Sequence, residues 1–166
     1  MSQEAVITRK ALLRGFWREE RKVIRPPWAA SSVFTDLCSP CNKCISSCHT
    51  NIIVKGAAGF PEIDFKRGAC DFCKACLRSC PTQALNQDEE KPWNLSAEIN
   101  GNCISFCRIC EDHCQERAIR MRPELGGKLT PVISAEKCNG CGACVAPCPA
   151  HIVTLIDKGE KLAQHT

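Results

Sequence analysis

The chain has 166 residues, a formal charge of +4 and 16 cysteines. Its length suits one compact domain or two very small ones, and its cysteine usage is high enough that the thiols must carry structure or chemistry. The mild charge, with no lysine-rich tract, gives nucleic-acid binding little support. No stretch approaches the about 20 apolar residues that cross a bilayer, and Arg9, Lys10, Arg14, Arg18 and Glu19 interrupt any secretory apolar run near the N-terminus. The expected setting is the cytoplasm, where thiols stay reduced and clustered cysteines hold metal rather than disulfides.

In chain order, residues 4–24 read as an amphipathic helix, with Val6, Leu13 and Trp17 near one face and Ile7 and Phe16 beside them. Arg9, Arg14, Arg18, Arg21 and Lys22 make it basic, and Pro26 and Pro27 end it. Such a face packs on the chain's own core or docks a partner, and Leu13, Phe16 and Trp17 are the candidate partner-binding residues. "TRKALLR" (Thr8–Arg14) looks like a degenerate twin-arginine export signal, but Lys10 stands in place of the second arginine and no apolar stretch follows. It is read as non-functional for export, and residues 1–30 as helix and lead segment.

The first cysteine group is "CSPCNKCISSC": Cys38, Cys41, Cys44 and Cys48. Ile52–Lys55 and Glu62–Phe65 then read as two short strands turned by Gly56 and Gly59. The second group is "CDFCKACLRSCP": Cys70, Cys73, Cys76 and Cys80. Residues 87–100 are acidic and polar and read as a linker. The third group, "CISFCRICEDHC", holds Cys103, Cys107, Cys110 and Cys114. Ile119–Arg122, a Gly126–Gly127 turn and Pro131–Ser134 repeat the strand pair. The fourth group is "CNGCGACVAPCP": Cys138, Cys141, Cys144 and Cys148, and a tail runs over 157–166.

Groups one, two and four share the spacing C-x2-C-x2-C-x3-C; group three has one extra residue before Cys107 and keeps four cysteines. Three thiolates within a few residues can wrap one side of an iron–sulfur cubane, with the fourth cysteine expected at the start of a helix and serving the neighbouring cluster. Pro81 and Pro149 suit such a first turn. Zinc is the rival, but structural zinc sites pair two knuckles a dozen or more residues apart and have no use for a third cysteine in the same loop. The pattern therefore predicts four 4Fe–4S clusters, group three included, since a decayed copy would be expected to lose a ligand. The alternative for group three is a labile or vacant site. A cubane with four thiolates carries about −2, so four would bring the holo-protein from +4 to roughly −4.

The fold class expected is α+β: two tandem bacterial-type two-cluster ferredoxin-like modules, residues 31–86 and 101–156, behind the N-terminal amphipathic helix. Sequential pairing joins Cys38, Cys41 and Cys44 with Cys80, and Cys70, Cys73 and Cys76 with Cys48. In the second module it joins Cys103, Cys107 and Cys110 with Cys148, and Cys138, Cys141 and Cys144 with Cys114. A nested pairing, group one with four and two with three, stays open; the hairpins favour the sequential one. His49 and His113, beside ligand cysteines, either tune potential by hydrogen bonding or are solvated loop residues. Trp28 and Trp93 flank the modules and read as packing residues.

The "RPPWA" lead, the "GFPEIDF" hairpin and the "CISFCRICEDHCQERAI" third group together resemble the NapF-type ferredoxins of the periplasmic nitrate reductase system. The resemblance implies a cytoplasmic four-cubane accessory protein without an open catalytic site. It implies a role in maturing the precursor of the catalytic molybdoenzyme subunit before export, by electron transfer or by helping its iron–sulfur cluster form. Two other readings stay open: an electron-transfer subunit of another redox complex, and a non-redox client-binding module whose clusters hold the shape. No motif fixes the electron donor.

Overall fold

The computed structural model describes residues 23–30, 33–86 and 92–158. The helix expected over 4–24, with Leu13, Phe16 and Trp17, lies outside the described residues apart from Val23 and Ile24, which are not helical.

No described element exceeds five residues, as expected of a chain whose loops are occupied by cysteine wraps. The order is α1 (Phe34–Leu37), α2 (Lys43–Ser46), β1 (Ile53–Lys55), β2 (Pro61–Ile63), α3 (Ala75–Ser79), β3 (Leu95–Ile99), α4 (Ile109–Asp112), β4 (Ile119–Pro123), β5 (Leu129–Ile133) and β6 (Val153–Asp157). β1 and β2 form one antiparallel hairpin, from Ile53↔Ile63 to Lys55↔Pro61. β4 and β5 form its counterpart, from Ile119↔Ile133 to Pro123↔Leu129. Both hairpins lie where the alternation and glycine turns put them, within a few residues. The second turns through Gly126 and Gly127, both with positive φ, a conformation that costs glycine nothing.

The residues read as a linker over 87–100 need correction at their C-terminal end. Leu95–Ile99 is a strand, β3, paired antiparallel with β6 from Leu95↔Asp157 to Ile99↔Val153. The expected tail likewise begins inside β6, since Asp157 closes that ladder. β3 thus belongs to the second module, which opens and closes with paired strands. In the first module the same closure is a single bridge, Ala29↔Leu85.

Apolar side chains from both modules form one contiguous core. Ile52, Ile53, Ile63 and Phe65 bury the first hairpin's inner face, Ile119 the second's, and Leu95, Ala97, Val153 and Leu155 the β3–β6 pair. The modules meet through backbone as well, the Cys70 N–H donating to the Cys141 carbonyl at 2.8 Å, and the lead segment is tied to the linker by the Trp28 N–H, which donates to the Pro92 carbonyl at 2.6 Å. Trp93 seals the seam. Its ring lies edge-to-face on Phe65 and on Phe72, each at 5.7 Å between centroids, and its Nε1–H donates to the Asn139 carbonyl at 3.0 Å.

Candidate metal centres

The cysteine groups share much of one local device. The third cysteine sits in a short helix in groups one to three: Cys44 in α2, Cys76 in α3, Cys110 in α4. Before it, a left-handed residue turns the chain so that successive thiols point inward. Asn42 (φ 60), Lys74 (φ 60) and Gly142 (φ 80) occupy this position, directly after the second cysteine of groups one, two and four. Group three departs here. Arg108, at the same position, has φ −118, and the left-handed residue is Ser105 (φ 63), inside the lengthened loop. Groups two and four also carry a left-handed residue before the second cysteine, Phe72 (φ 57) and Gly140 (φ 75), so group three keeps that earlier turn, lacks the later one, and leaves Ile104 and Phe106 52 % and 79 % exposed.

The fourth cysteine does not open a helix. Cys48 and Cys114 follow α2 and α4, and Cys80 caps α3 with ψ 117. The proline after Cys80 accounts for this, because a residue before proline is pushed from the helical to the extended region.

The sulfurs gather in four quartets. One cavity is lined by Cys38, Cys41, Cys44 and Cys80. A second is lined by Cys48, Cys70, Cys73 and Cys76, and a third by Cys103, Cys107, Cys110 and Cys148. Cys138, Cys141, Cys144 and Cys114 form the fourth: the first two and Cys114 all act electrostatically on Cys144, and Cys138 and Cys114 act on Cys141. The grouping follows the sequential pairing, with three thiols from one group and the last from its partner group. Pro61 and Pro81 line the first cavity, and Pro131 and Pro149 the third, so the two modules build equivalent walls.

These cavities are hostile to protein alone. Burial pushes the Cys44 thiol up to about 11 and Cys76 to about 11, and Cys70 and Cys144 to about 12; neighbouring sulfurs add to the rise in each. Four thiolates converge in an apolar pocket only around a cation, whose charge inverts that preference. Backbone amides are nonetheless directed at several of the sulfurs. The Phe72 N–H points at Cys70 Sγ at 3.4 Å, the Ala118 N–H at Cys114 Sγ at 3.2 Å, and the Ala97 N–H at Cys138 Sγ at 3.4 Å. Burial also raises Cys48, but hydrogen bonds from Thr50 and from the Ile53 and Ile52 backbone outweigh it, and its thiol is lowered overall. A soft, all-sulfur donor set with amides directed at the sulfurs fits an iron–sulfur cluster.

Residues 37–84 and 102–152 match the family described as 4Fe-4S dicluster domain. The chain belongs to that family. The two dicluster segments coincide with the two modules, each spanning a pair of cysteine groups and its hairpin. The chain is also similar to "Ferredoxin-type protein NapF" of Escherichia coli (strain K12), 39% identical over 99 residues, which is 59% of this chain and 60% of that protein. It is 41% identical to "Ferredoxin-type protein NapF" of Haemophilus influenzae over 83 residues, 49% of this chain and 47% of that protein. The matched region thus spans between about half and three-fifths of these relatives. The ferredoxin-type, iron–sulfur character rests on these matches, and among the described residues no helix is long and apolar enough to cross a membrane.

Several residues around the dicluster quartets escape a reading of the cysteine spacing. Ala97 reaches Cys138 from β3, and the Leu95/Ala97/Ile99 alternation was the available signal. Lys158 donates from Nζ to the Cys138 carbonyl at 2.8 Å, setting a cation beside the fourth quartet; nothing local in the sequence marks it. Of the two histidines, His113 Nδ1 contacts the Ile109 carbonyl at 2.9 Å, its own helix rather than a sulfur. His49 lies 3.7 Å from Cys73 Sγ through Nδ1 and 2.9 Å from an Asp71 oxygen through Nε2, so it bridges group one to group two while remaining largely exposed.

Proposed function

We propose that each quartet holds one 4Fe–4S cluster, four in all, and that the chain is a non-catalytic electron-transfer accessory protein. The ligands are Cys38, Cys41, Cys44 and Cys80; Cys48, Cys70, Cys73 and Cys76; Cys103, Cys107, Cys110 and Cys148; and Cys114, Cys138, Cys141 and Cys144. The observation that carries this reading is the convergence of twelve cysteines on three four-sulfur cavities, with Cys114, Cys138, Cys141 and Cys144 as mutual neighbours in a fourth set. A cubane in such a set exchanges one electron, and its potential is set by burial and by hydrogen bonds to the sulfurs. The protein's part is to exclude water from those sulfurs and to direct amides at them. With every sulfur of a quartet engaged, no iron position is left open for substrate.

The similarity to NapF-named relatives supports a client in the periplasmic nitrate reductase system. The protein acts in the cytoplasm on the precursor of the periplasmic nitrate reductase catalytic subunit, supplying electrons or assisting assembly of that subunit's own iron–sulfur cluster. Anaerobic iron and sulfide analysis tests the cofactor, with four cubanes per chain expected; three, with spectra indifferent to Cys107→Ser, would leave group three vacant. Capture tests the client: holo-protein should retain the unexported catalytic subunit and not the mature form. Equal retention of both would reject precursor-specific maturation, and retention of neither would remove the stable-binding version and leave a diffusing electron carrier.

A further inference from the structure

The two modules are joined at two of the four quartets, and the join is made by the ligand loops themselves. The Cys70 N–H donates to the Cys141 carbonyl at 2.8 Å. Cys70 lines the second quartet's cavity, and Cys141 belongs to the fourth. One hydrogen bond therefore connects the backbone of a cysteine on one side of the seam to the backbone of a cysteine on the other. The packing around it admits no spacer. A Cβ on Gly142 would lie 2.0 Å from a Phe65 ring carbon, and one on Gly140 would lie 2.8 Å from the Trp93 indole nitrogen. Glycine in the fourth group lets Phe65 of the first module and Trp93 of the connecting segment press against its cysteine loop. Trp93 then holds both sides, through its edge contacts with Phe65 and Phe72 and its hydrogen bond to Asn139. Among the described residues, no such backbone bridge crosses the seam at the first or third quartet. In the first, Cys80 neighbours Thr82, and in the third, Cys107 lies in a loop bearing the exposed Phe106.

We propose that the Cys70–Cys141 peptide bridge is the electronic contact between the modules. The four centres then form one unbranched series in the order first, second, fourth, third quartet, which differs from their order in the sequence. The inner members are those of groups two and four; the outer members, of groups one and three, are the points of exchange with external partners. Passage across the seam moves one electron: the side that loses it is oxidised, the side that gains it is reduced, no bond is made or broken, and no proton moves. Trp93 is a positioning residue for this contact. The inference rests on the four-cluster reading above.

The test compares full-length holo-protein with its Trp93→Ala and Trp93→Phe variants, each reduced with dithionite without oxygen. Iron and sulfide content is measured first, then electron paramagnetic resonance line shape and microwave power saturation. Interaction between the two clusters inside each module is common to all three proteins, so any change reports the seam. The wild type is expected to show additional broadening and fast relaxation. In Trp93→Ala the half-saturation power should fall several-fold with four cubanes still present, and Trp93→Phe, which retains a ring against Phe65 and Phe72, should recover most of it. Identical saturation in all three fully loaded proteins would overturn the inference while leaving the four-cluster reading intact. Fewer than four cubanes in the wild type would overturn both. Should Trp93→Ala fail to load its clusters, Phe65→Leu loosens the same edge contact while keeping an apolar side chain, and the same loss or constancy of relaxation decides.

Discussion

Gly142 separates two reasons for which a sequence uses glycine. Its φ of +80 is shared in sign by Asn42 and Lys74 at the equivalent position of their groups, each with φ 60, so this turn accepts a side chain. What excludes one at 142 is Phe65, whose Cδ1 and Cε1 would lie 2.0 and 2.5 Å from the new Cβ. Gly142→Ala therefore carries two costs. The left-handed backbone accounts for about 1 kcal/mol. Displacing a packed ring adds about 1–3 kcal/mol, and weakening its edge contact with Trp93 adds about 0.5–1.5 kcal/mol. In a Phe65→Ala background only the first remains, so the two substitutions should be coupled by about 2 kcal/mol or more, as contacting residues are. Metal-bound proteins do not unfold in two states, so the assay is the rate at which cluster absorbance is lost in guanidinium without oxygen, for the four corners of the cycle. A coupling of about 2 kcal/mol is up to about 30-fold in rate where the seam opens before release. Equal acceleration by Gly142→Ala in both backgrounds would refute the assignment of this glycine to the Phe65 contact.

Other outcomes follow from single contacts. Trp28 is 5% exposed and lines the second quartet's cavity, so Trp28→Ala should cost about 3–5 kcal/mol and speed bleaching of that cluster most, read as loss of iron against time in denaturant. Lys158→Met removes the cation beside Cys138, which makes adding an electron there harder; about 1 kcal/mol corresponds to roughly 40 mV for one electron, and a redox titration should show a single cluster potential moved to more negative values. Iron removal by a chelator should abolish most of the ordered structure, because small modules with thiols gathered in apolar cavities depend on the metal for folding free energy; an unchanged circular dichroism spectrum would contradict this. Phe106, 79% exposed, should tolerate serine with a stability change within about 0.5 kcal/mol in the same guanidinium assay.

The features legible in the sequence are those written in local spacing. A cysteine interval is a covalent constraint, and a hairpin carries its own turn, so the four groups and both strand pairs could be placed without long-range information. β3 was hidden because its partner, β6, is far away in the chain and no glycine turn joins them; the acidic run before it masks the weak Leu95/Ala97/Ile99 alternation. The fourth cysteine of each group was expected to begin a helix, whereas Cys80 ends one, an error of direction that the following proline already signalled. Group three could be recognised by its ligand count, but not the loss of the left-handed turn at Arg108. Trp93 read as a packing residue, and its three partners, on both modules, depend on a seam that no local pattern encodes.

The exchange of the fourth cysteine within each module has a consequence in time. Cys38, Cys41 and Cys44 share their cavity with Cys80, and Cys103, Cys107 and Cys110 share theirs with Cys148. While the chain is being synthesised, the first cavity cannot exist until Cys80 has left the ribosome, nor the third until Cys148 has. The early thiols must wait, reduced and open, for the end of their module. The second and fourth cavities, whose distant member is made first, are completed only by Cys76 and Cys144 a few residues before. Both sites of a module thus mature within moments of each other, and iron delivery meets two synthesis deadlines rather than four.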